Sequence, residues 1–205
     1  MSRERRRIVA VGLTGGIGAG KSTALALFAE LGALTLSADG LVHDLYSRSK
    51  VSGRVAAHFG PDVLDANGAI DRSRLAEMVR GQREELAWLE GLVHPLVARD
   101  IRGRLREAPG GTVVICEVPL LFEAGHEALF DLIVTVEAGA DSRRRRSTHR
   151  FDLDQFSELE AMQASSETRV QRSDMAFFND GDLDGLRGFV REVYDRATEL
   201  LKEGR

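Results

Sequence analysis

Gly12-Leu13-Thr14-Gly15-Gly16-Ile17-Gly18-Ala19-Gly20-Lys21-Ser22-Thr23 contains the pattern G-x-x-x-x-G-K-S, running from Gly15 to Ser22. The apolar run 8–14 leads into it and a helical pattern, 22–31, leads out of it. The glycines therefore stand between a buried strand and a helix, the context in which such a loop binds phosphate. Glycine lets the loop turn through positive φ and leaves its backbone bare to an anion. Successive N–H groups and the positive end of the following helix then face that anion. Lys21 reaches the β- and γ-phosphates, and the Ser22 hydroxyl holds Mg2+. Gly15, Gly16, Gly18, Ala19, Gly20, Lys21, Ser22 and Thr23 are accordingly expected to bind a nucleotide.

Working outward, four further apolar runs occur at 34–38, 112–118, 132–137 and 175–178. Several are rich in Val and Ile without strict alternation, as in strands buried on both faces. Helical patterns at 22–31, 74–79, 84–106 and 186–201 separate them. Strands alternating with helices predict a three-layer α/β fold, a five-stranded parallel sheet flanked by helices. About seventy residues separate the second and third runs, more than one crossover needs, so 41–107 is expected to be a helical insertion. A second polar excursion, 141–169, separates the fourth and fifth strands. The core is then 8–40, 108–140 and 170–205, all within one unit spanning 1–205.

The 205 residues balance 28 Lys and Arg against 32 Asp and Glu, a formal charge of −4 that offers no global attraction to nucleic acid or anionic membrane. A single cysteine, Cys116, excludes a disulfide framework and a multi-cysteine zinc site, and fits a reducing cytoplasm. Cys116 itself reads as a small buried strand residue. Residues 2–13 imitate a signal peptide, with arginines before an apolar run, but that run breaks into glycines and meets Lys21. No stretch reaches the roughly 20 apolar residues of a membrane span. A cytoplasmic protein is expected, with monomer and small homo-oligomer both open.

Three more features bear on chemistry. Asp39 closes the second apolar run, and ligands of open parallel sheets bind beyond the carboxyl ends of their strands. It is either the N-cap of a helix over 41–46 or the group that orients or deprotonates an acceptor hydroxyl. Glu117 ends the third run where a magnesium-handling acid normally sits; solvation at the strand end is the competing reading. Arg143-Arg144-Arg145-Arg146, with Arg150 beyond, is a solvated helix face or a phosphate-clamping lid. Arg146 and Arg150 are i and i+4, on one face, so both guanidiniums can meet one triphosphate while Arg143 is expected to be dispensable.

Together these residues resemble the dephospho-CoA kinase family, whose loop reads LTGGIGSGKST. The likeness extends through Ser37-Ala38-Asp39, Val93-His94-Pro95-Leu96, Val118-Pro119-Leu120-Leu121-Phe122-Glu123, the lid through Arg146 and Arg150, and Asn179-Asp180-Gly181. It departs at Ser37 and Glu117, where the family has Asp, and at Phe151, where it has an acid. The resemblance implies transfer of phosphate from ATP, with Mg2+, to the ribose 3′-hydroxyl of dephospho-CoA. It implies Lys21, Asp39 and Arg146 as catalytic groups, with Asp39 the base. Arg146 and Arg150 become clamps and Asn179 a neighbour of adenine. It also makes 41–107 the acceptor domain and 141–169 the lid. Ser22, and with it Glu117, would hold the metal. A related kinase for a nucleoside monophosphate or another small alcohol, and a nucleotide-binding regulator without turnover, are the competing functions. His94-Pro95 reads as structural, with Pro95 in the first turn of a helix and His94 packed beneath it.

Overall fold

The computed structural model describes residues 8–149 and 151–203. The arginines of residues 2–7, and Arg150, lie outside the described residues. In chain order the elements are β1 (Val9–Gly15), α1 (Lys21–Glu30), β2 (Leu34–Ser37), α2 (Ala38–Tyr46), α3 (Ser49–Phe59), α4 (Arg72–Val79), α5 (Arg83–Glu107), β3 (Val113–Glu117), β4 (Leu132–Glu137), α6 (Ala140–Ser147), α7 (Leu153–Ala161), α8 (Ser166–Arg172), β5 (Met175–Phe178) and α9 (Leu183–Glu203). The five strands form one parallel sheet in the order β2-β3-β1-β4-β5. The three central strands are buried along their whole length, which explains why their sequences do not alternate. Edge strand β5 does alternate, and Phe178 at its end is 57% exposed.

The chain leaves β1 for β2, returns to β3 beside β1, and then crosses to β4 on the other side of β1. That reversal opens a crevice beyond the carboxyl end of β1, where the glycine loop begins. Period-2 geometry divides the central side chains between two faces. Val9, Val11, Leu13, Val113, Ile115, Leu132, Val134 and Val136 share a core with Phe28 of α1 and with Phe189, Val190 and Val193 of α9. Thr135 and Glu137 point to the opposite face, where α8 supplies Arg169. Burying one Leu- or Phe-sized side chain contributes about 2 kcal/mol, so this core anchors the loop to a rigid base.

Residues Ala38–Arg102 form one compact unit and the rest of the described chain forms another. The smaller unit is helical, with Leu41, Leu45, Val51, Val55, Val63 and Leu75 buried. Arg48 pairs with Asp100 at 2.6 Å, and Asp71 caps α4 by accepting from the Ser73 and Arg74 amides. Two local expectations change. Asp39 is not an N-cap, because α2 already begins at Ala38; the carboxylate sits in the first turn, where the helix dipole favours it. Pro95 lies in the middle of α5 rather than in a first turn. The helix continues through it on an exposed side, at the loss of the one backbone bond that proline cannot donate.

Candidate functional site

The loop leaves β1 at Gly15, whose φ is +142°. A Cβ there would lie 2.0 Å from the Val136 carbonyl oxygen of the neighbouring strand, so only glycine can make this exit. Gly18, at φ +74°, is equally confined: a Cβ would meet the Arg143 carbonyl oxygen at 2.5 Å and Ser147 Oγ at 2.6 Å. Gly20 then hands the chain to α1, and Lys21, Ser22 and Thr23 make its first turn with Ser22 and Thr23 exposed. Lys21 is 8% exposed, and its Nζ donates to the Gly15 and Gly16 carbonyls at 3.0 Å each. The ammonium is thus wrapped by the loop it serves, and a triphosphate would compete with two neutral carbonyls for it.

Asn179, just beyond β5, is 7% exposed and donates from Nδ2 to the Ala19 carbonyl at 2.8 Å. Arg146 joins them. Its Nη1 donates to the same Ala19 carbonyl at 3.3 Å and its Nη2 to the Asn179 carbonyl at 3.2 Å. The structure therefore brings Gly15–Lys21, Arg146 and Asn179 together, three of the segments singled out in the sequence. Asp39 stands in the helical unit, exposed, two residues past the carboxyl end of β2. Arg150 lies outside the described residues. Glu117 is 8% exposed, in register with Leu13 of β1 and Ser37 of β2, so it is buried rather than solvated at its strand end. A hydroxyl and a carboxylate are the hard oxygens that Mg2+ accepts, and it completes its shell from phosphates and water rather than from a protein cage. Ser22 and Glu117 fit that chemistry.

Three residues at the site carried no signal in the sequence, or the wrong one. Arg143, expected to be dispensable, is the most engaged of the four arginines. It is 13% exposed, donates from Nε to the Ala138 carbonyl at 3.0 Å, pairs with Glu160 at 2.6 Å, and stands 6.0 Å from the centre of the Phe156 ring. Arg169 is 4% exposed and grips both oxygens of the 1%-exposed Glu137 at 2.6 Å each. Thr135 Oγ1 adds a third bond to Glu137 at 2.7 Å. Burial raises the Glu137 carboxyl, but the bonds from Arg169 and Thr135 and the guanidinium charge outweigh it and hold the group below its ordinary range. Arg169 Nη2 lies 3.2 Å from where a Gly16 Cβ would be, so this pair forms a wall behind the loop. Gln163, between α7 and α8, accepts from the Ile17 amide at 2.8 Å and donates to the carbonyls of Gly15 and Pro119. These partners come from distant elements, which is why no spacing revealed them.

The family model for dephospho-CoA kinase matches residues 9–185. A dephospho-CoA kinase of Corynebacterium diphtheriae is 37% identical over 199 residues, covering 93% of this chain and 98% of its own. A crystal structure of a Thermus thermophilus protein superposes with a TM-score of 0.79 at 30% identity, covering 93% of this chain and 98% of that one. A dephospho-CoA kinase from Campylobacter jejuni shares the fold with a TM-score of 0.64 at 21% identity, over 94% of this chain and 98% of its own.

Proposed function

The chain belongs to the dephospho-CoA kinase family, and from that membership we infer that it transfers the γ-phosphoryl group of ATP to the ribose 3′-hydroxyl of dephospho-CoA. This is the final step of coenzyme A synthesis, and the protein is an ATP-dependent kinase. The observation that carries the reading is the family match over residues 9–185, which takes in the glycine loop, Asp39, Glu117, Arg146 and Asn179. No helix among the described residues is long and apolar enough to cross a membrane, and we place the enzyme in the cytoplasm.

The residue roles follow from charge and position. The loop amides and the start of α1 receive the phosphates. Lys21 exchanges the Gly15 and Gly16 carbonyls for phosphate oxygens, so that its ammonium meets full negative charge in place of carbonyl dipoles. Arg146 releases the Ala19 and Asn179 carbonyls to do the same; α6 ends at Ser147, so helical spacing no longer supports pairing it with Arg150, whose role rests on the family resemblance. Charge developing between the transferring group and its bridging oxygen is then met by preorganised cations. Asp39 accepts the proton of the 3′-hydroxyl as that oxygen attacks. Ser22 and Glu117 hold Mg2+, which when bound neutralises phosphate charge. The helical unit receives dephospho-CoA, and residues 141–169 act as a lid that keeps water from the γ-phosphate.

ADP release with purified protein, ATP and Mg2+ tests this, offering dephospho-CoA beside a panel of nucleoside monophosphates. Turnover confined to dephospho-CoA is expected; preference for a monophosphate would overturn the acceptor. In the same assay Asp39→Asn should lower kcat about 10²-fold while dephospho-CoA still binds.

A further inference from the structure

Gln163 is fully used. A carboxamide offers one acceptor and two N–H donors in this setting. Oε1 takes the Ile17 amide at 2.8 Å, and Nε2 gives its hydrogens to Gly15 O at 3.2 Å and Pro119 O at 3.1 Å. Two carbonyls facing Nε2 and one N–H facing Oε1 also fix which way the amide points. The three partners lie at the exit of β1, on the crown of the glycine loop, and in the turn after β3. Thr14 Oγ1 also reaches the Pro119 carbonyl, at 3.4 Å. The residues that follow Gln163 are tied down too, by the bond from the Ala164 amide to Glu123 and by the Arg169–Glu137 pair. Gln163 is therefore held against the loop by its own bonds and by the residues that follow it.

The Gly15 carbonyl is shared. It accepts from Lys21 Nζ at 3.0 Å and from Gln163 Nε2 at 3.2 Å, using both of its lone pairs. Once Lys21 turns to a phosphate, that carbonyl would be left bare in a part-buried place if Gln163 were absent, and a buried acceptor without a partner is costly. Resting on the reading of this loop as the ATP site, we propose that Gln163 is a positioning residue for ATP. It pins the loop crown at Ile17 and keeps the Gly15 carbonyl satisfied when Lys21 is released to the phosphates. No other side chain can do this with one group: glutamate lacks both donors, asparagine is one methylene short, and methionine of similar length has neither donor nor strong acceptor.

The test is the dissociation constant for ATP with Mg2+, measured by calorimetry on the whole protein, together with both Michaelis constants. Gln163→Met should raise Kd and KM for ATP about tenfold and leave KM for dephospho-CoA within about twofold. A change that only destabilised the fold would reduce the active fraction, hence apparent kcat, without moving KM or Kd. Gln163→Asn gives a second determination by the same criterion should Gln163→Met not fold. An ATP Kd within twofold of the parent in whichever variant folds would overturn the proposal alone. A parent that binds ATP but does not turn over dephospho-CoA overturns the acceptor assignment and leaves the Gln163 result standing; a parent that does not bind ATP overturns both.

Discussion

Replacing Arg169 by methionine should be among the most damaging single changes in the nucleotide-binding unit. The guanidinium is 4% exposed and makes both of its 2.6 Å bonds to a carboxylate that is itself 1% exposed. Without it, Glu137 keeps the Thr135 hydroxyl at 2.7 Å but loses its counter-charge. Breaking a buried pair in this way costs about 3–5 kcal/mol, much more than an exposed pair of the same length. In a chain of this size each kcal/mol moves the melting temperature by about 2–4 °C, so a fall of about 6–20 °C is expected at neutral pH. Acid should narrow that gap. In the parent the Glu137 carboxyl is held low, so its contribution is present above the ordinary carboxylate range and is lost as pH falls through the depressed value. In the variant, burial without the guanidinium pushes the same carboxyl up, and protonation relieves the buried charge at a milder pH. Glu137→Gln added to Arg169→Met should likewise recover much of the loss. The assay is thermal unfolding of the single variant, the double variant and the parent from pH 7.5 down to pH 5. A gap under about 1 kcal/mol at neutral pH, or one that does not narrow on acidification, would refute the reasoning.

Arg143→Ala should lower stability by about 1–2 kcal/mol, read from the urea midpoint, because it removes the Ala138 bond, the Glu160 pair and the stem packed beside Gly16. A silent substitution would return Arg143 to the solvated face that the arginine run alone suggests. Gly18→Ala places a methyl 2.5 Å from the Arg143 carbonyl in a left-handed conformation, so it should weaken ATP binding at least tenfold and lower the melting temperature; unchanged ATP affinity would count against the close seating of α6 on the loop. Burial, aided by the Glu117 charge, pushes the Cys116 thiol from 9.0 up to about 12. Its neutral form is therefore favoured in the fold, and that contribution is complete below pH 9 and is lost as pH rises toward 12. A thiol reagent at pH 8 should label Cys116 only after unfolding, and rapid labelling of the folded protein would show that β3 is open to solvent.

Local chemistry made much of this protein legible in its sequence. The glycine loop could be read because phosphate binding, positive φ and a strand-to-helix junction constrain a few consecutive residues. The five strands could be read because burial on both faces demands continuous apolar runs, and they fall within a residue or so of the expected bounds. Asp39 and Glu117 were singled out by the same logic, since the carboxyl ends of parallel strands are where such a sheet binds its ligands, and their roles are those proposed above. Tertiary structure decided what depends on approach between distant segments. Arg143, not a freely solvated residue, became a strut because Ala138, Glu160 and Phe156 converge on it. Glu137 met Arg169 across 32 residues, and Gln163 reached Gly15 across 148. Residue types and short spacings record what a segment does with its neighbours in the chain. The supporting side chains of a site are chosen by a surface that exists only after folding, so their partners leave no periodic trace.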